Sequence, residues 1–213
     1  MLKTVRIEFS KTGRAKYISH LDLMRTMTRA LRRADIPLWY TEGFNRHPYI
    51  TFAAPLSLGY EGLCETMDLR LEGEMADSEL ALRLNAVMPD GLRVLSAYEA
   101  EMKPGQLTAA RYRLFFACAE SVLAAFLQQP VMPAEKRTKK GGFKTVDIKP
   151  ALSEPALSAC AEGCCLEVTL PCSSAETINP QLIRLALSAF AGHDVRMQVT
   201  RTALFGPAGV PFR

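Results

Sequence analysis

The chain has 213 residues, 48% of them apolar and 23% charged, a balance that can bury a core and excludes a polar disordered chain. Its net charge of +4 admits an acidic partner without requiring one. No run of about 18 apolar residues predicts a membrane span, residues 1–6 lack the apolar centre of a signal peptide, and a cytoplasmic location with no membrane partner is expected.

Residues 4–10 alternate apolar and polar side chains, the period of a strand with Val5, Ile7 and Phe9 facing a core. A basic turn, Lys11-Thr12-Gly13-Arg14, leads to Ser19-His20-Leu21-Asp22. Ser19 with Asp22 three residues on is a capping box that starts a helix running to about Ala34. Met24, Met27, Leu31 and Ala34 form its apolar stripe, and Arg25, Arg29, Arg32 and Arg33 fall largely off it. Pro37 stops the helix. Extended segments follow at 38–41 and 49–53, split by Gly43-Phe44-Asn45-Arg46-His47-Pro48. A strand over 66–71, a helix capped by Asp77 or Ser78 and a strand over 92–98 complete a β-α-β-β-α-β order, that of a ferredoxin-like antiparallel sheet with an open face for ligands.

Residues 103–106 read as a linker. Beyond it the pattern recurs with little residue identity: a strand at 111–117, a helix at 121–129, a strand at 164–170, a helix from Asn179-Pro180 and a strand at 195–205. Between them lies a basic hairpin, residues 136–149, turning at Gly141-Gly142, with Phe143, Val146 and Ile148 expected inward. Residues 206–211 are expected to be a loosely ordered tail. The chain thus divides into two tandem ferredoxin-like domains of class α+β, 1–102 and 108–213.

Two clusters could carry function. Tyr17, His20, Asp22, Tyr40, Asn45 and His47 would gather if the two histidine-bearing turns meet at one sheet end. A near-neutral imidazole binds phosphate or moves protons, and the start of a helix offers free N–H donors. The second cluster is Lys136, Arg137, Lys139, Lys140, Lys144 and Lys149 against one acid, Asp147. Such a run suits phosphate contacts, with Phe143 as a stacking surface. The alternatives are a plain helix cap with a tight turn, and a solvated charged loop.

The six cysteines (Cys64, Cys118, Cys160, Cys164, Cys165 and Cys172) are unevenly spaced and read as free thiols. Cys160 and Cys164 begin like the CxxxCxxC cluster motif of radical S-adenosylmethionine (SAM) enzymes, but Glu167 stands at the third position. No metal or cofactor is expected. The phosphate-loop, dinucleotide, hydrolase and zinc-protease motifs are absent.

Residues 17–25, 29–34, 43–48 and 54–59 resemble DUF2344, a bacterial radical-SAM-associated domain of unknown function. The similarity extends through 139–150 to Arg201-Thr202-Ala203-Leu204, with Arg46 standing where the family more often has Pro. The resemblance implies an accessory partner of a radical SAM protein and no chemistry of its own. The tandem layout is also similar, at the level of fold alone, to that of CRISPR repeat-processing endoribonucleases. The sequence is accordingly read as a non-catalytic module that binds RNA, or an RNA-containing substrate, for a radical SAM protein. Arg25, Arg29, Lys136, Arg137, Lys139, Lys140 and Lys144 are its phosphate contacts, and His20, Asp22, Asn45, Arg46 and His47 its ligand turns. One alternative is a metal-independent endoribonuclease using His20 and His47 with Tyr17. Another is a pure protein-interaction module.

Overall fold

The computed structural model describes residues 2–138 and 141–213, and among them it is a mixed α+β protein with four α-helices and mostly antiparallel strands. It divides into two compact units: residues up to Leu107 joined by Leu204–Arg213, and Thr108–Ala203.

The first unit contains β1 (Leu2–Lys11), α1 (His20–Arg33), β2 (Ile50–Phe52), β3 (Glu61–Glu72), α2 (Asp77–Asn85) and β4 (Leu92–Glu99). Its strands lie in the order β4-β1-β3, and β2 pairs with β3, all antiparallel. Val5, Ile7 and Phe9 alternate along β1 and meet Met67, Leu69 and Leu71 of β3. Leu23, Met27, Ala30 and Leu31 of α1, with Leu80 and Leu84 of α2, close this core. Each of these side chains larger than alanine contributes about 1.5–3 kcal/mol on full burial. The α1 stripe is rotated from the expected one: Leu23 is buried and Met24 exposed. Ala76, with no side-chain cap, is the N-cap of α2; Asp77 lies in its first turn, where its charge favours the positive helix end.

The polar side of β1 is also covered. Arg6, Thr66 and Asp68 are buried, and Phe212 is only 4% exposed. The Arg6 guanidinium lies 4.1 Å from the Phe212 ring centroid, the Met102 N–H donates to the Arg213 carbonyl at 2.7 Å, and Arg213 covers Tyr98. The expected loose tail is therefore anchored, and the expected open face of this sheet is occupied by a buried ion pair and the tail.

The second unit contains β5 (Ala109–Phe116), α3 (Glu120–Leu127), β6 (Pro133–Arg137), β7 (Phe143–Asp147), β8 (Ser153–Cys160), β9 (Gly163–Pro171), α4 (Pro180–Ala191) and most of β10 (Met197–Phe205). The order is β10-β5-β9-β8, with β6 and β7 as a separate two-stranded hairpin. Ala110, Tyr112, Leu114 and Phe116 face inward with Cys164, Leu166, Val168 and Leu170. Asn179 caps α4, its side chain accepting from the Gln181 N–H at 2.9 Å, and Pro180 supplies a preset first turn. Gly192 ends α4 at φ 75°, in the left-handed region that glycine enters at little cost.

Candidate functional site

The Ser19 hydroxyl accepts the Asp22 N–H at 3.1 Å and donates to the Asp22 carboxylate at 2.7 Å; Arg25 adds an ion pair to Asp22 at 3.2 Å. These contacts hold the Asp22 carboxyl below its ordinary range, Ser19 foremost. His20 is the first residue of α1. Its ring meets Phe52 edge-on at 5.2 Å, and its Nδ1 is buried without a hydrogen-bond partner. Burial, and then the charge of Lys11, lower the His20 pKa, so the imidazole is neutral at pH 7. Lys11 is itself buried and donates to the Lys16 and Ile18 carbonyls at 3.4 and 3.2 Å. Tyr17 is 67% exposed, with the Lys16 ammonium 5.5 Å from its ring centre.

His47 is held within its own turn. Its Nδ1 lies 2.9 Å from the Asn45 carbonyl, which only accepts, so Nδ1 carries the hydrogen and Nε2 is the basic nitrogen. Thr41 braces the same ring and the His47 backbone at 3.2 Å. Asn45 and Arg46 are exposed. The two imidazoles make no hydrogen bond or ring contact with each other among the described residues, and five positions of chain separate His47 from the Phe52 that His20 meets. Tyr40 bridges Pro48 and faces Arg32, whose guanidinium is 6.0 Å from its ring centre.

The arginines of α1 differ in freedom. Arg25 is bound to Asp22, Arg33 donates to the Val87 carbonyl at 2.7 Å, and Arg29 is exposed with no side-chain partner among the described residues.

The β6–β7 hairpin is anchored by two of its lysines. Lys136 donates to the Thr177 carbonyl at 2.8 Å and Lys149 to the Leu127 carbonyl. Met132, Ala134 and Ile148 are buried. The Thr138 N–H and hydroxyl both reach the Gly142 carbonyl, at 2.8 and 3.2 Å, and Gly141 turns at φ 86°. Lys144 is exposed, and Phe143 is 71% exposed rather than inward. The reason is parity. Phe143 stands opposite Arg137, whereas Val146, which does turn inward, stands opposite buried Ala134. Lys139 and Lys140 lie outside the described residues.

Sequence reasoning missed a cavity of about 560 Å³ in the second unit, lined by Phe115, Glu162, Arg184, Asp194, Arg196 and Gln198 among others. These residues come from separated segments, and no local motif marks them. Near it lie four thiols. Cys118 and Cys164 are 3.8 Å apart, and burial pushes Cys164 up to about 12. Burial and a bond with Cys160 push Cys165 up to about 11. All six cysteines are free thiols, and no group of three or more His, Cys, Asp or Glu could hold a metal ion among the described residues.

Fold and site thus define a mixed α+β protein with a lysine-bearing hairpin and two imidazoles that, among the described residues, make no contact with each other. The family model described as "Uncharacterized protein conserved in bacteria (DUF2344)" matches residues 4–180, and the chain belongs to that family. No curated protein matches the chain. No helix among the described residues is long and apolar enough to cross a membrane.

Proposed function

We propose that this chain is a non-catalytic accessory module of two tandem ferredoxin-like units that binds RNA, or an RNA-containing substrate, for a radical SAM protein in the cytoplasm. The ferredoxin-like reading is supported by the orders β4-β1-β3, with β2 on β3, and β10-β5-β9-β8, the β6–β7 hairpin being an insertion between α3 and β8. The radical SAM partner rests on the family resemblance.

One observation carries the RNA reading. The hairpin spends Lys136 and Lys149 on backbone carbonyls that fix it in place, and leaves Lys144 and the Phe143 ring of β7 exposed. A fixed strand that presents an exposed cation on one face and an exposed aromatic ring on the other supplies a phosphate contact and a stacking surface, the two contacts that single-stranded RNA takes. Arg29 and Arg46 are further exposed cations of the first unit with no side-chain partner among the described residues. The ribonuclease alternative needs His20 and His47 to act on one phosphate, whereas the His20 ring packs on Phe52 and the His47 ring is bonded to Asn45 and Thr41 of its own turn.

The test is single-stranded RNA binding by the wild type, Lys139→Ala/Lys140→Ala and Phe143→Ala/Lys144→Ala at two salt concentrations. The double variants should weaken binding and flatten the salt dependence by about 0.7 in log–log slope per lost phosphate contact. Wild-type binding that is absent, or indifferent to salt, overturns the reading.

A further inference from the structure

The cavity of the second unit contains uncommitted polar groups that nothing above uses. Along β5, Arg111, Arg113 and Phe115 lie on the face opposite the buried Ala110, Tyr112, Leu114 and Phe116. Two of the three are neutralised where they stand. Arg113 pairs with Glu167 at 2.9 Å, directly across the strand, and Arg111 with Glu154 at 2.6 Å. Phe115 is different, because it borders open volume.

The Ala117 N–H donates to the Arg196 carbonyl at 3.0 Å and the Thr202 hydroxyl to the Arg111 carbonyl at 3.4 Å. This is an antiparallel register, and it puts Gln198 across from Phe115 and Arg196 across from Ala117. All four residues line the cavity, with Met197 and Glu162. Arg184 of α4 and Asp194 also line it, but they form an ion pair with each other. What remains is a guanidinium (Arg196), a carboxylate (Glu162) and an amide (Gln198), each without a side-chain partner among the described residues, and one aromatic ring (Phe115).

That set constrains the ligand. A volume of about 560 Å³ is that of a site for a small molecule, within the usual range of roughly 300–1,000 Å³. A guanidinium takes a phosphate, and a ring takes the face of a base. A carboxylate only accepts, so it selects a base edge with adjacent N–H donors, and guanine presents two of these on its pairing edge. An amide N–H beside it can serve the guanine carbonyl. Adenine and cytosine each offer a single amino group there, next to an acceptor that repels a carboxylate. Single-stranded RNA is recognised in this way, by stacking and by the pairing edges of splayed-out bases.

We propose that this cavity binds one guanosine 5′-phosphate unit, with Phe115 stacking on the base, Glu162 and Gln198 reading its pairing edge and Arg196 holding the phosphate. The source is free nucleotide or a guanosine within RNA, and only the second rests on the RNA reading given above.

The experiment is calorimetric titration of the full chain with GMP, AMP and inorganic phosphate, and with U7 and U3GU3 oligonucleotides. Saturable GMP binding about tenfold tighter than AMP binding is expected, this being the discrimination of one good bidentate contact. Glu162→Gln should erase that preference while keeping binding, whereas Arg196→Ala and Phe115→Ala should each weaken GMP about tenfold. All three positions border open volume, and an unchanged melting temperature shows that each variant is folded. Equal GMP and AMP binding, phosphate binding as tight as GMP binding, or no GMP binding overturns the proposal. U3GU3 tighter than U7, with the gain lost in Glu162→Gln, assigns the guanosine to RNA. GMP binding with no oligonucleotide binding overturns the RNA reading and leaves the pocket; salt-dependent RNA binding without GMP binding does the reverse.

Discussion

The Arg6 guanidinium and the Asp68 carboxylate meet side-on inside the first unit, Nε to Oδ1 at 2.7 Å and Nη2 to Oδ2 at 2.8 Å, directly opposite each other across β1 and β3. Arg6 is fully buried, and its Nη2 also donates to the Met102 carbonyl at 2.7 Å. Its Nη1 is buried with no hydrogen-bond partner. Such a pair costs desolvation and contributes little net stability, but removing one member leaves a buried charge unmatched. Asp68→Asn should therefore lower the unfolding free energy by about 3–5 kcal/mol. Replacing both members, as Arg6→Met/Asp68→Leu, should recover much of that loss. Urea midpoints of the three chains check this; a double variant no better than the single one refutes it.

Phe212 lies against the other side of the same guanidinium. Phe212→Ala removes a buried ring as well as this cation–π contact, and should destabilise the fold by about 3–5 kcal/mol, the range for large core aromatics. A tail that merely trails from the fold would show no change in melting temperature.

The α1 cap joins stability to pH. Ser19→Ala deletes the acceptor for the Asp22 N–H and should cost about 1 kcal/mol, whereas Ser19→Gly should cost only a few tenths. His20 adds a slope. Its folded pKa lies below 6.5, so between that value and 6.5 the unfolded chain binds a proton that the fold does not. Stability from this source is full above pH 6.5, falls as pH drops through the window, and levels off below the folded value. His20→Gln should flatten the wild-type decline between pH 7.5 and 5, read from denaturation midpoints.

The periodic features were legible in the sequence. Alternation placed β1, Ser19 and Asp22 placed the start of α1, and Gly141-Gly142 placed the hairpin turn. What escaped depends on partners distant in the chain. Arg6 reads as a solvent-facing residue of an alternating strand until Asp68, 62 positions away, is set beside it. Phe212 sits in a Gly/Pro-rich stretch whose composition signals disorder, and only its contact with Arg6 says otherwise. β8 was missed because Ser153–Cys160 is exposed along most of its length and shows no alternation of hydrophobicity; its pairing with β9 makes it a strand. The Phe115 cavity draws on β5, β10 and the turn between β8 and β9, which local spacing cannot bring together.

Stability and binding should separate within the hairpin. Lys136 is half-buried and bonded to the Thr177 carbonyl, whereas Lys144, its cross-strand neighbour, is exposed with no side-chain partner among the described residues. Two like charges directly opposite repel, and the Thr177 carbonyl draws one of them away from the pair. Lys136→Ala should thus cost stability, about 1 kcal/mol for a hydrogen bond to a carbonyl at a partly exposed site. Lys144→Ala should leave stability unchanged or slightly raised, since it removes the repulsion. In RNA binding the order inverts: Lys144→Ala should weaken affinity and reduce the salt slope by about 0.7, while Lys136→Ala should change it little. Thermal melts and fluorescence anisotropy at two salt concentrations measure both effects on the same preparations. Equal losses of affinity in the two variants would show that the hairpin contributes its summed charge and not a specific exposed contact.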